Sequence, residues 1–382
     1  MSAIGDPANP PNDPSHRQLR PLPLSGVRVV EVGNLIAAPY AGMMMADLGA
    51  EVVKIEPPGG DLGRRFGPWR NGESVFFLSV NRGKTSETID FRSDIGRRRA
   101  RDIVEGADVL IHNLRAGAIE RLGLGEDDVR EYNPTIVYGV VSAFGSDGPY
   151  AGRAGIDIVF QAESGMISVT GAEGDPPAKT ATTIGDYVAA TNLVAGVCAA
   201  LAEPGRPGRR IDVALRDSLI AVQGGWNAIG LHTGSQPPRI GTASIFTAPN
   251  QVFETADGHI ALAIISDDHF ARLCEALGRQ DLARRYPAND DRMGAVAELE
   301  EALAPIFAAA TAEHWIETLV DIGLPIGRVL TFPEVWDDAQ VRHNEMVVGM
   351  AHPVAGDIRL VGSPIRIDGR PTTNRRPPPT LD

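Results

Sequence analysis

Apolar positions alternate between two spacings through the first half of the chain. GVRVVEVG (26–33) is a short β-branched run closed by Gly33, PYAGMMMADLGA carries a helix stopped by Gly49, and EVVKIE reads as a second strand. That is a βαβ unit. The alternation continues with a strand at SETIDF, a helix at IGRRRARDIVEGA, a strand at DVLIHNL, two short helices over 116–131 and a strand at TIVYGVVSAFG. Such a pattern predicts a mostly parallel sheet covered by helices, the α/β class. Further helices are predicted over 157–168 and 187–202, and GRRIDVAL returns as a strand. Beyond Gly224 the character changes. QVFETADGHIALAII predicts a hairpin turning at Asp257 and Gly258, followed by helices over 267–277, 293–310 and 312–322. From Met346 the chain is strand-like again. The expected domains are an arm over 1–23, a large domain over 24–224, a smaller α+β domain over 225–340 and a return of 341–382 to the large domain.

With 382 residues, 43% of them hydrophobic, the chain has material for a large core and two or three domains. A formal charge of -13 excludes broad nucleic-acid binding, which needs a basic surface, so any anionic ligand has to be met by local cations. Cys198 and Cys274 lie far apart among apolar or helix-forming neighbours and are expected as buried free thiols. The opening stretch is rich in Pro, Asn and Asp and lacks the apolar core of a signal peptide, and no later stretch is expected to reach membrane-spanning length. The expectation is a disordered arm on a cytoplasmic protein with no membrane partner.

Several familiar chemistries lack their residues. The turn after the first strand, GNLIAAP, has only Gly33 where a dinucleotide fold places G-x-G-x-x-G. LSVNRGKT ends like a phosphate loop, but Leu78 stands where the leading glycine belongs, which leaves Lys84 either as a point charge for a phosphate or as a solvated surface lysine. G-x-S-x-G does not occur. The eight histidines include no pair at metal-ligand spacing, so no metal site is expected, and His112 reads as structural or surface. In ATTIGDYVAA, Asp186 follows a glycine at the start of a long apolar helical run, where on its own it reads as a helix cap.

A set of segments then carries a resemblance. LSGVRVVEVGNLIAAPYAGMMMADLGAEVVKIEPPGGD (24–61), NRGK (81–84), DVLIHNLRAGAIERLGL (108–124), NPTIVYGVVSAFGSDGPY (133–150) and GIDIVFQAESGMISVTG (155–171) are similar, in order, to the family III CoA-transferases. ATTIGDYVAAT, GHIALA, GLPIGRVL and LVGSPIRI extend the likeness to about residue 370. The resemblance implies a Rossmann-like large domain built from both chain ends, a small domain between them and an interlocked homodimer. It also implies that Asp186 is the catalytic nucleophile, held ionised by the helix dipole, and that CoA is met by Asn34, Ile36, Ala37, Lys84, Asn113, Leu114, Arg115 and Arg121. Arg64 and Arg65 are weaker candidates for the phosphates. The partners so implied are an acyl-CoA and a small carboxylic acid. CoA enters as substrate, and no permanently bound cofactor is required, because carboxylate attack on a thioester needs neither metal nor redox chemistry. Gly165, Gly171 and Gly185 are candidates for the oxyanion pocket, with turn and cap chemistry as the alternative.

Two rivals share the fold. Acyl-CoA racemases place a histidine in a G-H-D segment, where this chain has Gly155-Ile156-Asp157, and isoleucine cannot transfer a proton. A non-catalytic CoA-binding partner subunit would not need Asp186. The donor and acceptor acids are not legible. A short acyl-CoA such as succinyl-CoA is expected as donor, and IGTASIFTAPNQVF, with one glycine, points away from oxalate. Trp226, Trp315 and Trp336 are candidate acyl-pocket residues, with core or interface anchoring as the alternative.

Overall fold

The computed structural model describes residues 20–381, so most of the expected arm over 1–23 lies outside the described residues. The first βαβ unit is β1 (Arg28–Val32), α1 (Ala37–Asp47) and β2 (Glu51–Glu56). Then come β3 (Lys84–Thr88), α2 (Asp94–Glu105), β4 (Val109–His112) and β5 (Val137–Ser142). Ser93 caps α2, its hydroxyl accepting the Gly96 amide at 3.0 Å, and Asp94 adds a favourable charge in the first turn. With β6 (Arg209–Ala214) the sheet is complete, in the order β3-β2-β1-β4-β5-β6. The pairs β1–β2, β2–β3, β1–β4 and β4–β5 are parallel, with Val30 opposite both Val53 and Leu110. Val30, Val32, Ile55 and Leu110 pack with Ile103 and Val104 of α2, so one face of these strands reads as nearly continuous core.

The order 3-2-1-4-5-6 is that of a doubly wound nucleotide-binding sheet, and it reverses between β1 and β4. Chains leaving the carboxyl ends of those two strands therefore flank a crevice.

The described residues group into two compact units. One takes the chain up to Val141, Leu193–Asp212 and Asn344 onward, and the other takes Ser142–Asn192 and Val213–His343. This differs from the expected 24–224 and 225–340, because the segment after β5 leaves the first unit and α5 (Ile184–Ala202) brings the chain back. The predicted helix over 157–168 is divided into α3 (Asp157–Glu163) and α4 (Met166–Val169) by Gly165, whose φ of +85° ends the first piece. α5 begins three residues before the predicted 187, which places Asp186 inside its first turn. At 19 residues with a mean hydropathy of 1.5, α5 is long and apolar enough to cross a membrane, contrary to expectation, yet Ala189, Ala190, Leu193 and Val197 are fully buried in protein.

In the second unit the predicted hairpin forms as β7 (Asn250–Thr255) and β8 (Gly258–Ala263), with Thr255 opposite Gly258, and β9 (Ile326–Arg328) joins antiparallel. Phe253, Ile260, Phe270, Leu299 and Phe307 form its core. Helices Asp267–Ala276, Val296–Ala308 and Ala312–Val320 fall within the predicted ranges. The helix Gly224–Thr233 was not expected from the sequence. In the first unit, the strand-like C-terminal segment forms an antiparallel hairpin, Val347–His352 with Gly356–Val361. Both cysteines are free; Cys274 is buried, whereas Cys198 is only partly so.

Candidate active site

At the sheet's reversal point the loops after β1 and β4 are tied to each other. The Asn34 amide donates to Asn113 Oδ1 at 2.9 Å, and Asn113 Nδ2 donates back to the Asn34 carbonyl at 2.9 Å. Asn34 Oδ1 accepts from the Leu62 amide at 3.2 Å, and Leu35 is held at a φ of +66°. Ile36 and Ala37 are buried, so what they offer a ligand is backbone at the N-terminus of α1, where first-turn N–H groups favour an anion. The Leu114 amide donates to His112 Nδ1 at 3.3 Å, and burial lowers the His112 pKa to about 4, keeping that ring neutral and structural. Arg115 and Arg121 are exposed, and neither is engaged in an ion pair among the described residues. They supply local positive charge on an acidic protein.

Lys84 requires a correction. It is 1% exposed, and its ammonium pairs with Glu31 at 2.7 Å while donating to the Pro39 carbonyl at 2.6 Å and Asn81 Oδ1 at 2.7 Å. Burial pushes its pKa down to about 8, against the pull of Glu31. An enclosed ammonium with these partners is neither a surface lysine nor placed to meet a phosphate. Arg64 is likewise committed, with two hydrogen bonds of 2.7 Å to the Glu56 carboxylate, whereas Arg65 is exposed.

Asp186 belongs to the second unit, partly buried in the first turn of α5, its amide bonded to the Thr183 carbonyl at 3.1 Å. Burial first, and then the neighbouring Asp157 carboxylate, raise its pKa to about 7. Desolvation and a like charge thus oppose the ionised form that the helix dipole favours. Asp157 itself is buried, and its Oδ1 accepts the Gly185 amide at 2.9 Å while its Oδ2 accepts Gln161 Nε2 at 2.6 Å. Gln161 Oε1 in turn accepts the Thr180 amide at 2.9 Å. The segment leading into Asp186 is thus fixed at 180 and 185. The Gly185 N–H is therefore not free for an oxyanion, while Gly165 and Gly171 adopt φ of +85° and +107°.

In the sequence, Asp157 carries no local signal beyond its place in Gly155-Ile156-Asp157. Ile156 is 66% exposed, whereas the next residue, Asp157, is buried and bonded to the segment that leads into Asp186. Of the tryptophans, Trp226 lines a cavity of about 230 Å3 with Ser164, Gln223, Asn227 and Leu231. Trp315 is core, donating from Nε1 to the Phe307 carbonyl at 2.8 Å, and Trp336 stacks on Phe332.

A doubly wound sheet with paired asparagines at its reversal point, and elsewhere a partly buried aspartate whose pKa is raised, defines an α/β protein with the features of a ligand-binding enzyme. The family described as CoA-transferase family III matches residues 24–382, and the chain belongs to it. It is 33% identical over 365 residues to the succinyl-CoA:glutarate CoA-transferase of Mus musculus, covering 94% of this chain and 84% of that one. It is 32% identical over 371 residues to the acetyl-CoA:oxalate CoA-transferase of Acetobacter aceti, covering 94% and 93%. The crystal structure of a CAIB/BAIF family protein from Brucella suis superposes with a TM-score of 0.85 at 31% identity, covering 95% of this chain and 97% of that one. The chain is a CoA-transferase of class EC 2.8.3.-, an enzyme whose substrates are CoA thioesters.

Proposed function

We propose that this transferase moves CoA from a short acyl-CoA to a small carboxylic acid by covalent catalysis at Asp186. The Asp186 carboxylate attacks the thioester carbonyl, the C–S bond breaks, and a mixed anhydride and CoA thiolate result. The thiolate attacks the aspartyl carbonyl of the anhydride, releasing the donor acid and leaving an aspartyl-CoA thioester. The acceptor carboxylate attacks that thioester to give a second anhydride and thiolate. Thiolate attack on the acceptor's acyl carbon then yields the new acyl-CoA and restores Asp186. Partial burial keeps water from the activated intermediates. What supports this reading is membership of CoA-transferase family III together with the placement of Asp186, partly buried in the first turn of α5 beside an Asp157 that fixes residue 185.

CoA binding is assigned to the backbone of Asn34, Ile36 and Ala37, to Asn113 and Leu114, and to the cations Arg115 and Arg121. The cavity at Trp226, lined by neutral side chains, is the candidate for the acyl group. The mouse relative supports a succinyl donor, and the Acetobacter aceti relative widens the choice to acetyl-CoA and oxalate. A racemase would need a proton-transferring group at Ile156.

The working form is read as an interlocked homodimer. Helix Gly224–Thr233 contains no buried residue despite Trp226, Ile229 and Leu231, the last 84% exposed, and Ile220, Val222 and Phe246 are exposed in the same unit. Apolar surface of that extent marks an interaction site. Two free thiols suit a reducing, cytoplasmic setting. Incubation with succinyl-CoA or acetyl-CoA and a labelled panel of carboxylic acids tests the activity: label entering the CoA thioester pool supports it, and loss of the donor by hydrolysis alone contradicts it.

A further inference from the structure

Glu31 and Lys54 are charges inside strands that otherwise read as core, and both are fully buried. Lys54 pairs with Glu31 at 2.6 Å and with Asp61 at 2.7 Å, and Glu31 pairs in turn with Lys84 at 2.7 Å. Two carboxylates and two ammoniums form an electroneutral buried cluster. Burial alone would lower the Lys54 pKa, but Glu31, Asp61 and Glu56 together raise it, so its charge is retained. Such a cluster is at best weakly stabilising, because desolvation offsets the attraction, and its retention asks for another reason.

The cluster's remaining hydrogen bonds supply one. Lys54 Nζ donates to the Gly33 carbonyl at 2.8 Å, Asp61 Oδ1 accepts the Leu35 amide at 3.1 Å, and Lys84 Nζ donates to the Pro39 carbonyl at 2.6 Å. Three of its four members thus grip the backbone from 33 to 39, and Leu35 is held in a left-handed conformation that a branched residue seldom adopts. Asp61 also accepts the Gly63 amide at 2.6 Å, which fixes the turn that offers the Leu62 amide to Asn34.

We propose that Lys54 and Asp61 are positioning residues that pre-set the loop after β1 in its CoA-accepting shape. The inference rests on the assignment of CoA to that loop. Preorganisation of this kind acts on binding rather than on the transfer step.

The test uses the full chain as wild type, Asp61→Asn, and the paired Lys54→Gln/Asp61→Asn, which removes one charge of each sign and leaves Glu31 and Lys84 matched. CoA affinity is measured by calorimetry, folding by circular dichroism and thermal melting, and covalent adduct formation by intact mass at saturating acyl-CoA. The expected result is a folded paired variant that binds CoA at least about tenfold more weakly while its saturated adduct rate stays within about twofold. A folded variant with wild-type CoA affinity overturns the proposal. Hydrogen exchange on the wild-type protein tests the same point without substitution: the Asn34 and Leu35 amides, bonded to Asn113 and Asp61, are expected to be protected before CoA is added, and free exchange of both until CoA arrives contradicts a pre-set loop. Failure of wild type itself to bind CoA would instead remove the underlying assignment.

Discussion

Asp157 lies close enough to Asp186 to raise its pKa, and the same Asp157 carboxylate accepts the amide of Gly185. One buried acid thus positions the candidate nucleophile and makes its ionisation harder. The nucleophile is the carboxylate form, so formation of the covalent adduct is expected to rise with pH through about 7 and to level off above it. Asp157→Asn keeps an oxygen acceptor for Gly185 but removes the like charge, so the midpoint moves to lower pH. Adduct rates between about pH 5.5 and 8.5, a range spanning both sides of the midpoint, check both statements.

The same shift has a consequence for stability. Asp186 has a folded pKa of about 7 against an ordinary value of 3.8, so between those values the folded state binds more protons than the unfolded one. Its contribution is neutral below the unfolded value, becomes increasingly unfavourable as pH rises through that window, and reaches its full cost above about 7. Asp186→Asn, which cannot ionise, is expected to stabilise the protein at about pH 8 by about 1–3 kcal/mol and to change little at the acid end. Denaturant titrations at the two pH values measure the difference.

Gly42 sits over the buried charge cluster. A Cβ there would lie 2.3 Å from Glu31 Oε2 and 3.3 Å from Lys84 Cε. Gly42→Ala is expected to destabilise by about 1–3 kcal/mol despite its better helix propensity, because a buried carboxylate would have to move. Thermal unfolding decides it.

Leu231 tests the dimer. If helix Gly224–Thr233 is covered by a second copy, the wild type elutes with twice the chain mass in light scattering and Leu231→Glu shifts it toward monomer. A monomeric wild type contradicts the interlocked arrangement.

The sheet was legible because its strands are β-branched runs broken by Gly and separated by helical spacing, and the hairpin at Asp257 and Gly258 because its turn residues sit between alternating strands. Local signals failed where long-range contacts decide. Lys84 looked exposed from its neighbours in NRGK, and only the approach of β1 and α1 encloses it. The two compact units depart from the expected division at Ser142 and Asn192, which no composition change marks, while the return of the C-terminal segment near 341 was legible. Asp186 could be singled out from its Gly-Asp setting, yet its protonation state depends on Asp157, a residue distant in sequence. Glu31 and Lys54 did leave a trace, as charges of opposite sign inside adjacent apolar strands.

Covalent catalysis at Asp186 is tested most directly by intact-protein mass after incubation with a panel of acyl-CoAs and then with hydroxylamine, for wild type and Asp186→Ala. Wild type alone is expected to gain an adduct of CoA mass less one water, and hydroxylamine is expected to release the CoA and leave a hydroxamate on the chain. An adduct of equal yield on Asp186→Ala, or none on a wild type that binds CoA and turns over, would contradict Asp186 as the nucleophile.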